Sequence, residues 1–150
     1  MKVVRVAAAV ILDGQGHLLA SQRGYGEFQD GWEFPGGKIE DGETPREALK
    51  REIGEELSAE VGVGELLTVV EHDYPSFHLS MHCFICTVIS GMPVPKPGIH
   101  KAVRWLSYQE LDSVTWLPAD IKAVEACRRR LYGEESGSGG SRGEENIRGR

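Results

Sequence analysis

The sequence predicts a single-domain α/β protein, and three observations carry that reading. Its 150 residues are 40% apolar and 27% charged, the balance of an ordinary globular chain with one core. Strand-like runs rich in Val, Ile and aromatic residues lie on both sides of a capped helical segment in mid-chain. A second helical segment follows them near the end.

Residues 3–12 are rich in Val, Ala and Ile and read as a buried strand. The turn signal Asp13-Gly14-Gln15-Gly16 joins them to residues 17–23, so the two runs are expected to form a hairpin. Residues 24–31 read as a loop. Trp32-Glu33-Phe34 reads as a short strand stopped by Pro35-Gly36-Gly37. The helix over 44–57 has Thr44 at its N-cap, Pro45 at its first position and Glu47 three residues after the cap, a capping box. Its Leu49, Ile53 and Leu57 form a narrow apolar stripe. Residues 65–74 and 77–90, separated by Pro75-Ser76, read as a second hairpin, and 91–98 are too rich in Pro and Gly for a long element. A strand over 102–106 and a closing helix over 119–132 complete a domain of residues 1–132. Residues 133–150 hold no aromatic residue and a single Ile, the composition of a disordered tail.

The net charge of −6 argues against a protein that coats nucleic acid. No apolar run approaches the roughly 20 residues of a membrane span. With no cleavage-site grammar at the start and three scattered cysteines (Cys83, Cys86, Cys127), the expected location is the reducing cytoplasm. His72, His78 and His82 lie near Cys83 and Cys86, but without the short paired knuckles of a zinc site. Arg128-Arg129-Arg130 ends the last helix, where positive charge suits the macrodipole.

The acids are concentrated between Glu33 and Glu60, where nine stand against four basic residues. Glu52, Glu55 and Glu56 occupy positions i, i+3 and i+4, which puts three carboxylates on one side of the helix. Like charges so close weaken a helix unless a cation sits among them, and hard oxygen ligands suit Mg²⁺. The alternative is a solvated acidic face balanced by Lys50 and Arg51. Upstream, Gly36 and Gly37 let backbone approach a ligand closely, and Lys38 supplies a point charge for phosphate. No Gly-Lys-Ser/Thr follows a four-residue gap, so this is not a Walker loop.

Read as one string, Gly37, five residues, Glu43, seven residues and Arg51-Glu52-Ile53-Gly54-Glu55-Glu56 resembles the Nudix hydrolase signature. Ser58 and Ala59 stand where the family has Gly and an aliphatic residue. The likeness extends through Trp32-Glu33-Phe34-Pro35-Gly36-Gly37-Lys38-Ile39-Glu40 and the late Leu117-Pro118-Ala119-Asp120-Ile121, which resemble the MutT branch, and covers roughly residues 3–131.

The resemblance implies an α/β/α Nudix sandwich, with a mixed sheet between helices and a loop–helix–loop at the active site. It implies that Glu52, Glu55, Glu56 and the Gly36 carbonyl hold Mg²⁺, for which Mn²⁺ can substitute. Glu43 and Arg51 brace the loop against the helix, and Lys38 touches a phosphate. The implied reaction is attack of water on the β-phosphorus of a nucleoside triphosphate, giving the monophosphate and pyrophosphate, with one carboxylate as general base or orienting it. The family's further loop Glu is replaced by Ile99, with His100 beside it as the alternative, although a loop histidine is more often merely exposed.

For the base, the resemblance places nucleotide contacts at Arg23, Glu33 and Phe34, the last equally readable as a core aromatic. Asp120 stands where MutT has Asn. Ionised, it accepts from an amino group such as cytosine N4; buried and protonated, it also donates, which admits 8-oxoguanine. It also reads as a helix N-cap. Phe77, in place of a base-contacting Arg, either stacks on a base or fills a strand end. The expected protein is a nucleotide-pool pyrophosphohydrolase acting on 8-oxo-dGTP or on cytosine nucleotides, a monomer or homodimer with no nucleic-acid or membrane partner. The alternatives are a Nudix hydrolase of dinucleoside polyphosphates and a Nudix module that senses nucleotides without cleaving them.

Overall fold

The computed structural model describes residues 1–134; of the tail expected from residue 133, all but Gly133 and Glu134 lie outside the described residues. In chain order the elements are β1 (Lys2–Leu12), β2 (Leu18–Arg23), β3 (Trp32–Glu33), β4 (Gly36–Lys38), α1 (Pro45–Leu57), β5 (Ala59–Tyr74), β6 (Phe77–Gly91), β7 (His100–Leu106), a 3₁₀ turn (Tyr108–Ser113) and α2 (Pro118–Tyr132).

The sheet is mixed and lies between the two helices. β1 runs parallel to β6 from Lys2↔Phe77 to Leu12↔Thr87, and β6 pairs antiparallel with β5. On its other edge β1 pairs antiparallel with β4, and β2 carries β3 and β7. Alternation along β1 decides what each face buries. Ala7, Ala9 and Ile11 pack with Leu49, Ile53 and Leu57 of α1, whereas Ala8 and Val10 join Ala119, Ala123 and Val124 of α2. Both sets are fully or nearly buried, at about 1.5–3 kcal/mol for each large aliphatic side chain. Cys83 and Cys86 fall in opposite layers, and all three cysteines are free and buried. Among the described residues no helix is long and apolar enough to cross a membrane.

The Thr44 capping box and Pro45 start are present, and the second hairpin turns at Pro75-Ser76. Four expectations are corrected. The first hairpin closes only at its turn, with Leu12 opposite Leu18 and Asp13 N–H donating to the His17 carbonyl, because the rest of β1 pairs with β4 and β6. Gly36–Lys38 is not a strand stop but a strand, pairing with Val6–Ala8. A methyl group on Gly36 would stand 2.0 Å from the Ala7 carbonyl oxygen, so only glycine allows that approach. The second hairpin begins earlier than residue 65, at Ala59, because α1 ends at Ser58 in the left-handed region (φ 58°) and the chain reverses there at once. Finally, Asp120 is not the N-cap of α2; Leu117 is, without a side-chain cap. The Tyr74 hydroxyl accepts from Ala119 N–H at 3.1 Å instead, capping the helix from the sheet face on which it packs.

Candidate active site

The cleft lies where β1, β4 and the ends of β2 and β7 meet α1. Arg23, Glu33, Gly36, Gly37 and Phe77 line both its outer mouth and the inner pocket behind it.

At the outer end, α1 presents its acidic side to β4. Arg51 organises it. Its Nε and Nη2 donate to the two Glu43 oxygens (2.7 and 3.0 Å), Nη2 also to the Lys38 carbonyl (3.1 Å), and Nη1 to Glu52 Oε2 (2.9 Å). One side chain thus ties the loop before the helix, strand β4 and the helix itself. That fork holds Glu43 down at about 2, with the Glu40 backbone bond helping, while Glu43 in turn raises Arg51 further above its ordinary value. Glu52 lies against β4 so closely that a methyl on Gly37 would stand 2.3 Å from its carboxyl carbon. The two glycines therefore do different work: Gly36 admits strand β1, and Gly37 admits a carboxylate.

Glu56 faces Glu52, and both side chains are mostly buried, at 20% and 14% exposure. Burial pushes the Glu56 carboxyl up to about 8, and the neighbouring carboxylates Glu52 and Glu33 add to it. Glu55 stands apart, 59% exposed, with Oε1 3.6 Å from Arg51 Nη1. The structure therefore brings together two of the three helical carboxylates expected as ligands and leaves the third aimed at Arg51. Among the described residues no three acidic, His or Cys side chains are placed to hold a metal as they stand. The donors nevertheless fit a hard divalent cation. They are oxygens only, two are crowded like charges that a cation would relieve, and the chain leaves no Cβ between Glu52 and the glycine backbone.

At the inner end Arg23 forks onto Glu33, Nε to Oε2 at 3.0 Å and Nη2 to Oε1 at 2.7 Å. Arg23 also lies over the Tyr25 ring, 5.2 Å from its centroid. Phe34 is 4% exposed and stacks on Trp116 (4.8 Å, 26°), the core position foreseen as one of its two readings, with its ring edge in the pocket wall. Phe77 packs on Tyr74 (5.1 Å), Tyr74 on Phe28 (5.0 Å), and all three reach the pocket. Asp120, 5% exposed, closes it. Its Oδ1 accepts the Phe34 N–H at 3.0 Å, and α2 is held there by Trp32 N–H donating to the Thr115 carbonyl and Leu117 N–H donating to that of Trp32. Burial drives the Asp120 carboxyl well above the usual range, Glu33 adding to the effect. Lys38 and Glu40 border the mouth.

Two further residues complete the site, Tyr74, which was not expected there, and His100, named only as an alternative to the missing loop Glu. Tyr74 carries no sequence signal beyond its place at a strand end. His100, weighed as a substitute for the loop Glu against the reading of an exposed loop histidine, opens β7 and is buried, 6% exposed, with its Nε2 3.6 Å from Glu56 Oε1.

Comparison with known proteins points to one family. The family model described as "NUDIX domain" matches residues 1–127. A Proteus vulgaris protein named 8-oxo-dGTP diphosphatase is 42% identical over 98 residues, 65% of this chain and 88% of its own. The Escherichia coli protein named CTP pyrophosphohydrolase is 35% identical over 127 residues, 84% of this chain and 92% of its own. The crystal structure of a MutT NUDIX hydrolase from Burkholderia pseudomallei superposes with a TM-score of 0.77 at 27% identity, covering 84% of this chain and 98% of that one.

Proposed function

The chain belongs to the Nudix family and is a hydrolase of that family, and on that premise we propose that it is a Mg²⁺-dependent pyrophosphohydrolase of nucleoside triphosphates. The observation that carries the proposal is the pairing of Glu52 and Glu56 against a Cβ-free backbone at the mouth of an aromatic pocket. Glu52, Glu56 and the Gly36 carbonyl would hold the metal, with Glu55 joining once it leaves Arg51. When bound, the metal neutralises the triphosphate and polarises phosphorus toward water. Arg51 and Glu43 hold β4 and α1 at a fixed separation, so Glu52 stays against the Gly36–Gly37 backbone. Lys38 supplies a charge to a phosphate oxygen. Water attacks the β-phosphorus and the bond to the α–β bridging oxygen breaks, which leaves the monophosphate and pyrophosphate.

The base enters between Phe77 and the Phe34 wall, toward Asp120. Because Asp120 Oδ1 is taken by the Phe34 N–H and its carboxyl holds its proton readily, the free oxygen presents a donor. A donor suits the carbonyl of an oxopurine, which favours 8-oxoguanine nucleotides. The second reading, cytosine nucleotides, needs Asp120 ionised to accept from N4, and the likeness to the CTP enzyme supports it. The test is pyrophosphate release over 8-oxo-dGTP, dGTP, CTP, dCTP and 5-methyl-dCTP. We expect 8-oxo-dGTP to lead. Release from none of them, with tight binding, would make the protein a sensor instead.

A further inference from the structure

We infer that His100 is a positioning residue for Glu56, holding that carboxylate in the geometry a divalent cation requires. The inference rests on the metal reading above. His100 begins β7 beside the irregular pairing Gln22/Arg23, and its backbone N–H donates to the Lys96 carbonyl, so the strand start fixes its Cα. Its side chain is 3% exposed, which removes water as a partner. Within that enclosure Nε2 lies 3.6 Å from Glu56 Oε1, just outside hydrogen-bond length, and a shift of under about 1 Å in the carboxylate closes it. Nδ1 is buried without a partner. An imidazole serving only to fill the core would leave both nitrogens idle; this one keeps one of them beside the cleft's most crowded carboxylate.

The neighbourhood makes such a partner useful. Arg51 secures Glu52 from one side, but no arginine reaches Glu56 among the described residues, and the side chain facing it from the opposite wall is His100. Carboxylates that hold metals are commonly oriented by such a second hydrogen-bond partner, whose loss costs about 10–100-fold in metal affinity.

The experiment compares His100→Leu with His100→Gln. Both fill comparable space; only Gln keeps an N–H near the Nε2 position. Mn²⁺ binding to the full chain without nucleotide is measured by titration calorimetry, with thermal midpoints recorded alongside. We expect His100→Leu to weaken Mn²⁺ at least tenfold and His100→Gln to stay within about threefold of the unmodified chain. Equal Mn²⁺ affinity in the two variants, whether both intact or both weakened, would overturn the inference. If that happens while the unmodified chain binds Mn²⁺ and releases pyrophosphate, the proposed function stands without it. Failure of the unmodified chain to bind Mn²⁺ overturns both.

Discussion

The two ends of the cleft are each organised by an arginine that forks onto a glutamate, yet they prepare for opposite chemistry. At the outer end Arg51 forks onto Glu43 and reaches Glu52 with its remaining nitrogen, and Glu56, beyond its reach, is crowded against Glu52. At the inner end Arg23 grips Glu33, and a single carboxyl, Asp120, is left buried against backbone. Crowded carboxylates invite a cation, whereas burial, with Glu33 adding to it, favours the protonated form of Asp120. At each end the glutamate forked by an arginine is a brace, and the proposed ligand contacts fall to acids that no arginine forks.

The comparison breaks most sharply at Glu56. Glu56→Gln keeps shape and removes a ligand charge, so turnover measured as pyrophosphate release should fall by at least about 100-fold, or about 2.7 kcal/mol of barrier, with the circular dichroism spectrum unchanged. Near-normal turnover would make the outer end an ordinary acidic face.

Arg51→Ala tests the brace. It should lower turnover by about 10–100-fold, because Glu43, β4 and Glu52 lose their common partner, and Lys should not restore it since an ammonium cannot fork. Full activity in Arg51→Lys would reduce the brace to a simple charge.

Asp120→Asn tests the inner end. An unfolded aspartate titrates near about 3.9, whereas burial and Glu33 raise the folded value. Between those two pH values the folded state holds the extra proton, so Asp120 contributes a stability loss that grows as pH rises. Asn still accepts the Phe34 N–H and carries no charge. The thermal midpoint of Asp120→Asn should therefore exceed that of the parent by a few degrees at pH 8, with the gain fading toward pH 4. The base ranking should stay as it is; a shift toward 8-oxoguanine would instead assign the ionised form to the parent.

The smallest effect belongs outside both ends. Ser58 holds a left-handed backbone that a Cβ disfavours, so Ser58→Gly should add about 1 kcal/mol to stability in urea and leave turnover alone. A loss of activity would mean that the helix exit positions the ligands after all.

Much of this was legible in the chain. The capping box and the Leu49-Ile53-Leu57 stripe are local patterns that local hydrogen bonds and packing realise directly, and of the i, i+3, i+4 carboxylates the helix brings Glu52 and Glu56 together. What failed was non-local. The pairing of β1 with β4 and β6 depends on strands far along the chain, so a hairpin signal could predict the turn at residues 13–17 but not the neighbours of Val6. Asp120 looked like a helix cap because its sequence neighbours are Pro118 and Ala119; its actual partner is Phe34, 86 residues away. His100 followed a Pro- and Gly-rich stretch and read as loop, while its burial comes from β2 and α1 closing over it. Glu55 matched its spacing perfectly, yet the nearby Arg51 guanidinium draws its side chain aside, a competition that spacing does not encode.

The central claim is that the acidic side of α1 holds a divalent cation beside a polyphosphate. The direct measurement is anomalous diffraction from crystals of the full chain soaked with Mn²⁺ and a non-hydrolysable 8-oxo-dGTP analogue. The expected result is a peak within bonding distance of Glu52, Glu56 and the Gly36 carbonyl, touching the phosphates. A nucleotide bound with its phosphates elsewhere, and no metal peak at those three groups, would contradict it.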